Sequence, residues 1–254
     1  MTPEGKKAAL AGRMEGLNIA FPPEAPERLL AYHELLCRWN ERMNLTGNTD
    51  FETALDRLYI DSLAPLREED LFPQGATLVD VGSGAGFPGL PVAIVRPDLQ
   101  VMLLDAISKR IDFLNAVVKA LALENVVTRH GRAEDGAHVP ALREVFDVAV
   151  ARAVAPLPVL CELLLPFVRV GGIMACYKGP SAMEEWEAGS RAAAVLGGSR
   201  LFSYPICLPS QPSWRHCVVV SSKMEKTLRQ FPRKAGIPNR KPLGTLDGKM
   251  KSAL

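Results

Sequence analysis

Residues 77–89 read TLVDVGSGAGFPG, and their order decides the fold. Thr77 to Val81 is a short apolar run of the kind that makes a buried strand. Asp80 stands near its end, and glycines follow at positions 82, 84 and 86. The next residues can be helical. A strand running through glycines into a helix brings backbone N–H groups and a helix N-terminus close to a ligand. Residues without a side chain allow close approach and positive φ. The segment therefore reads as a binding loop for a nucleotide-like molecule, its plainer alternative being a tight strand-to-helix turn.

The glycine spacing narrows the ligand. The dinucleotide fingerprint G-x-G-x-x-G would place its last glycine at position 87, which is Phe87. Here the third glycine comes one residue early, giving D-x-G-x-G-x-G. A second strand candidate, Gln100–Leu104, ends at Asp105. An acid about 20 residues past the glycines is where a ribose diol is gripped. Asp105 also suits the start of a helix, because apolar residues at 107, 111, 114, 118 and 121 follow it at helical spacing.

Working outward, strand and helix candidates alternate. Strands are expected at 77–81, 100–104, 125–129, 146–151 and 171–177, with helices between them. Two late β-runs, 201–208 and 216–221, are joined by the Pro/Ser-rich PSQPSWR. Upstream, Leu29, Tyr32, Leu36, Trp39 and Met43 mark a helix over 26–45, and a second is expected over 51–63. This alternation predicts an α/β fold, a doubly wound, mostly parallel seven-stranded sheet with an N-terminal helical extension. The expected division is a helical cap (1–70), a core (71–222) and a basic tail (223–254). Ligands in such a sheet lie at the carboxyl ends of the strands. That gathers Gly82 to Phe87, then Asp105, Ala106 and Ile107, then Arg132, Ala133 and Glu134, then Arg152, then Lys178. Glu134 and the Ala133 amide suit an adenine, the plain alternative for Glu134 being an exposed loop charge. Arg152 suits a carboxylate, a phosphate or a base, its plain alternative being an ion pair with Asp147 or Glu134.

Composition excludes several classes. At 48% hydrophobic and 23% charged, the 254 residues are ordinary for a globular enzyme. No apolar run approaches the ~18–20 residues of a membrane span, and the N-terminus lacks a signal-peptide core. Five scattered cysteines, with no Cys-x-x-Cys and no metal spacing, fit free thiols in a reducing cytoplasm and no metal. Charge is uneven. From Lys223 onward nine Lys/Arg face two acids, a net +7, so the remainder carries −5 of a total of +2. A basic tail on an acidic body points to a polyanion. Its segment FPRKAGIPNRKPLG reads as an extended strap over phosphates, carried by Arg233, Lys234, Arg240 and Lys241, its plain alternative being a solvated, partly disordered tail.

The glycine motif resembles motif I of class I methyltransferases, whose sheet is Rossmann-like. The resemblance sharpens with VDVGSGAGFPGLPVAIVRPD, LLDAISKRIDFL, GRAED and ARAVAPL, joined by LCRWNERMNLT, RLYIDSL and the tail FPRKAGIPNRKPL. Together, from about Tyr32 to Leu243, these look like the RsmG (glucose-inhibited division protein B) family. The resemblance implies N7-methylation of one guanine in small-subunit (16S) ribosomal RNA, with S-adenosyl-L-methionine as cofactor, by a cytoplasmic monomer. The RNA would be free or in an assembling 30S particle. It implies a cofactor set of Gly82, Gly84, Gly86, Phe87, Asp105, Ala106, Ile107, Ala133, Glu134 and Arg152, with Arg152, Lys178 and the tail cations toward RNA. It vouches for nothing beyond Leu243.

The chemistry fits. N7 of guanine has a lone pair and no proton to lose, so in-line displacement needs no general base. No catalytic residue is therefore expected beyond those that position, and His33, His130, His138 and His216 read as ordinary residues. No Asn/Asp-Pro-Pro-Tyr/Phe loop for adenine amines and no paired catalytic cysteines for pyrimidine C5 occur. Base contacts are expected from Arg152, Lys178 and the segment around Asn44 and Asp61–Ser62, while Trp214 and Arg215 either stack a base or merely pack. The alternative is a methyltransferase acting on a protein or small molecule, with a deep pocket and no use for the tail. A Rossmann-like oxidoreductase is disfavoured by the glycine spacing. An RNA-binding module without enzymatic activity is disfavoured by the retained glycines and Asp105.

Overall fold

A computed structural model of the chain describes residues 1–47 and 49–245. Its strands are β1 (Thr77–Val81), β2 (Gln100–Asp105), β3 (Val126–His130), β4 (Phe146–Arg152), β5 (Val168–Lys178), β6 (Phe202–Leu208) and β7 (Gln211–Ser222). They form one sheet in the order β3-β2-β1-β4-β5-β7-β6. The first five run parallel, and β7 lies antiparallel between β5 and β6. The chain leaves β1 toward β2 and β3, then returns to β4 on β1's other side. At that reversal a crevice opens above the strands' carboxyl ends.

Helices cover both faces. On one lie α1 (Pro3–Gly16), α2 (Ala25–Met43), α5 (Gly89–Val95) and α6 (Ser108–Ala120). Leu10, Leu29, Tyr32 and Leu36 bury into the same core as Leu78, Leu90 and Phe113. On the other face, α7 (Ala133–Gly136), α8 (Leu157–Leu164) and α9 (Trp186–Val195) pack on Val79, Val81 and Ala149. Each large apolar side chain so buried contributes about 1.5–3 kcal/mol. The N-terminal helices thus share the core of the sheet they cover. Their ends are locally specified. The Thr2 hydroxyl accepts from Gly5 N at 3.2 Å, and Asn44 closes α2 in the left-handed conformation at φ 48°.

Three segments depart from expectation. The helix over 51–63 is interrupted: α3 (Phe51–Ala54) and α4 (Asp61–Leu63) flank a π-helical turn, Leu55–Ile60. Much of PSQPSWR is strand, because β7 begins at Gln211 and pairs with β6 from Leu208 onward. Proline and serine suggested a loop, but the hairpin ladder overrides local propensity.

The third is the tail. Residues 223–245 bind back onto the body, with one short helix, α10 (Ile237–Arg240). Arg143 donates to the carbonyls of Thr227 and Phe231 at 2.8 Å each. Arg233 holds the fully buried Glu162 with Nη2–Oε2 at 2.6 Å and Nε–Oε1 at 2.9 Å. Lys249 and Lys251, counted in the tail's charge, lie outside the described residues. No helix is long and apolar enough to cross a membrane among the described residues.

Candidate active site

The glycine loop lies in the crevice, and its glycines do different jobs. Gly84 (φ +58°) is open: a Cβ there would meet nothing nearer than the Gly82 carbonyl at 3.9 Å. Gly86 (φ +95°) is a packing glycine, since a Cβ would strike Leu90 at 2.4 Å and the Tyr32 hydroxyl at 2.8 Å. That hydroxyl, brought by α2, donates to the Ala85 carbonyl. The N-terminal helices therefore hold the loop from behind.

Beneath the loop, Asp80 is fully buried. Its Oδ2 accepts from Gly89 N at 2.9 Å, while Oδ1 has no partner among the described residues. Burial pushes its pKa up to about 7, against the Gly89 N–H, which favours the charged form, and with Asp105 adding to the rise.

At the end of β2, Asp105 is 3% exposed. It accepts from Gly84 N at 2.9 Å and Ile107 N at 2.8 Å, and Arg110 stands 3.4 Å away. A carboxylate has about four lone-pair sites, so capacity remains for a hydroxyl. The cleft measures about 730 Å³, and its wall includes Gly82, Gly84, Phe87, Asp105, Ala106, Ile107 and Arg152. That size suits a nucleoside-like ligand. Open backbone at Gly84, an acid with spare lone pairs and the Phe87 ring together fit S-adenosylmethionine.

The remaining expected residues are placed differently. Gly86 supports the loop from behind. Ala133 and Glu134 are absent from the cleft wall, where Arg132 stands instead. Glu134 accepts from Gly236 N at 3.0 Å, so its carboxylate anchors the tail. Lys178 pairs with Glu185 at 2.7 Å and donates to the Ala155 carbonyl, away from the cleft. Arg233 is held by Glu162. Lys234, Arg240 and Lys241 remain exposed.

Arg152 ends β4, followed by Ala153 at φ +54°. A non-glycine residue in that region costs on the order of 1–2 kcal/mol, strain placed at the cleft wall. The partner of Arg152 is neither Asp147 nor Glu134 but Asp61, at 3.2 Å. Its guanidinium also donates to Ser62 Oγ at 3.1 Å and to the carbonyls of Leu58 and Arg57. Asp61 is 1% exposed and also accepts from Trp214 Nε1 and His216 Nδ1, each at 2.9 Å. Sequence reasoning offers Asp61 and Trp214 as contacts to the base, not as partners of each other and of Arg152, and reads His216 as an ordinary residue. It passed over Arg57. A π-turn, which often marks function, has no sequence signature here.

Seven strands in this order, with the last inserted antiparallel and a glycine loop after β1, define the class I methyltransferase fold. A solved mutant of MtNAS shares the fold at TM-score 0.52 and 14% identity, over 78% of this chain and 73% of that one. The sequence profile of rRNA small subunit methyltransferase G (GidB) matches residues 25–211. Proteins named ribosomal RNA small subunit methyltransferase G are similar throughout. That of Clostridium beijerinckii is 42% identical over 90% of this chain and 95% of its own length. That of Alkaliphilus metalliredigens is 43% identical over 93% and 98%. The chain belongs to the rRNA small subunit methyltransferase G family. It is a methyltransferase, and its methyl donor is S-adenosylmethionine.

Proposed function

We propose that the chain methylates N7 of a guanine in small-subunit ribosomal RNA, in the cytoplasm. One observation carries the reading: Arg152 stands in a wall common to the donor cleft and to a second hollow beside it. Two adjoining sites sharing one wall suit transfer between two bound partners. S-adenosylmethionine supplies, when bound, an electrophilic methyl group on a sulfonium. Gly82, Gly84, Phe87, Asp105, Ala106 and Ile107 bind and orient it, with Asp105 taking the ribose hydroxyls. Arg152 orients the acceptor. The N7 lone pair needs no proton removed, so no residue has to act as a base. Rate comes from alignment and exclusion of water, worth up to roughly 7–11 kcal/mol in favourable cases. Arg57, Arg110 and Arg132 rim the hollows, and Lys234, Arg240 and Lys241 lie exposed on the tail. These are the cations offered to phosphates.

The test is to incubate the protein with labelled S-adenosylmethionine and, separately, free rRNA and assembling 30S particles, then digest and identify the modified nucleoside. N7-methylguanosine in small-subunit rRNA is the expected product. Label in protein alone, or at another atom of the RNA, would overturn the reading.

A further inference from the structure

Beside the donor cleft lies a hollow of about 460 Å³, whose walls include Arg57, Leu58, Arg152, Trp214 and His216. It shares Thr46, Leu58 and Arg152 with the cleft. A group seated in it therefore faces the methyl donor's site along the Arg152 side chain.

One carboxylate sets the chemistry of this hollow. Asp61 takes the Trp214 N–H, so the indole is fixed in place, with the His216 ring centre 4.2 Å from its own. The Arg57 guanidinium stands 5.7 Å from that ring's centre. A carboxylate only accepts, so His216 carries its proton on Nδ1, and in the neutral ring Nε2 is left as an acceptor. Nε2 has no hydrogen-bond partner among the described residues. Arg152 spends Nη1 on Asp61, Ser62 and Leu58 and one Nη2–H on the Arg57 carbonyl. Its Nε–H and second Nη2–H remain.

The hollow thus combines a fixed indole carrying the Arg57 guanidinium, an acceptor, and free N–H donors on Arg152, in the wall shared with the cleft. Guanine complements that set. It carries acceptors N7 and O6 side by side, and N–H donors on its opposite edge. Adenine places an amino donor where O6 would be, against the guanidinium.

We propose that this hollow seats the acceptor guanine, swung out of its stack. Its ring packs against the paired Arg57 guanidinium and Trp214 indole, its O6 accepts from the free Arg152 N–H groups, and His216 Nε2 accepts from its far edge. N7, next to O6, then looks into the cleft. A base inside a helix cannot reach such a seat, so the substrate is an unstacked or single-stranded guanine. This seat rests on the N7-guanine reading above.

The test compares methyl transfer to small-subunit rRNA by the wild type, Trp214→Ala and Trp214→Phe, with S-adenosylmethionine affinity measured on each. Trp214→Ala should lose roughly ten- to hundred-fold in transfer, the scale of one base–aromatic stack. Its donor affinity should stay unchanged, and Trp214→Phe should recover most of the transfer. A second measurement needs no variant. A transcript carrying 6-thioguanosine, irradiated on the wild-type protein, should crosslink to the peptides holding Trp214 or Arg152. Normal transfer by Trp214→Ala, or crosslinks avoiding both peptides on a transcript that is still methylated, would overturn the seat alone. Absence of N7-methylguanosine with the wild type would overturn the reaction and the seat together.

Discussion

Asp105 and Asp61 stand at one crevice, 3% and 1% exposed, but they are built into it by opposite means. Asp105 takes two backbone amides, those of Ile107 just after it and of Gly84 in the glycine loop, and it faces the cleft that holds the donor. Asp61 is satisfied from afar, by Arg152 on β4 and by Trp214 and His216 on β7. The first is offered to a ligand. The second is a positioning residue that never needs to touch one. Depth of burial therefore says little about a carboxylate's role here, and the origin of its partners says more.

The sharpest break should come from Asp61→Ala. It leaves the guanidinium of Arg152 without its buried counter-charge, a change that costs about 3–5 kcal/mol in such settings. Urea unfolding should show that loss, and methyl transfer should collapse with it. An unchanged midpoint would mean the cluster is only decorative.

Nearly as large an effect is expected at the tail. Arg233→Ala strands the fully buried Glu162 and should cost on the order of 3 kcal/mol. Lys234→Ala, at an exposed position, should leave stability alone and lower the salt slope of RNA binding by about one. Equal effects of the two on RNA affinity, with neither altering stability, would restore the tail as a simple phosphate strap.

Asp105→Ala should weaken S-adenosylmethionine by roughly 1.5–3 kcal/mol, the scale of a hydrogen bond to a charged group, with little change in unfolding. Calorimetry reads it directly, and unaltered affinity would remove the ribose assignment.

A smaller, pH-dependent effect belongs to Asp80. Its native carboxyl holds its proton up to about pH 7, while the unfolded chain releases it near 3.8. The stabilisation is thus complete below about pH 4 and is lost as pH rises through about 7. Each unit inside that window removes about 1.4 kcal/mol. His33 acts in the opposite sense, because burial lowers its pKa to about 4. The useful quantity is therefore the difference between wild type and Asp80→Asn at pH 5 and pH 6. Parallel curves would contradict the burial argument.

The two carboxylates also mark what the sequence makes legible. The glycine loop, Asp105 and the strands of the parallel sheet are readable because each rests on neighbouring residues, an apolar run ending in an acid or a glycine. The expected strand at 77–81 and its observed bounds agree for that reason. The acceptor side is assembled from Arg57, Asp61, Arg152, Trp214 and His216, up to about 160 residues apart in the chain. Its π-turn and the long β6–β7 hairpin arise from tertiary pairing that no local pattern announces. The tail was misleading for a related reason. Composition counts Arg233 as a free cation, and only the fold brings Glu162 to it.

The most direct test is to titrate the wild type, Asp105→Ala and Asp61→Asn with S-adenosylmethionine and measure transfer to rRNA on the same preparations. Donor binding should weaken only in Asp105→Ala, and Asp61→Asn should lose transfer with donor binding intact. Donor affinity lost in Asp61→Asn and kept in Asp105→Ala would reverse the two roles and contradict this assignment.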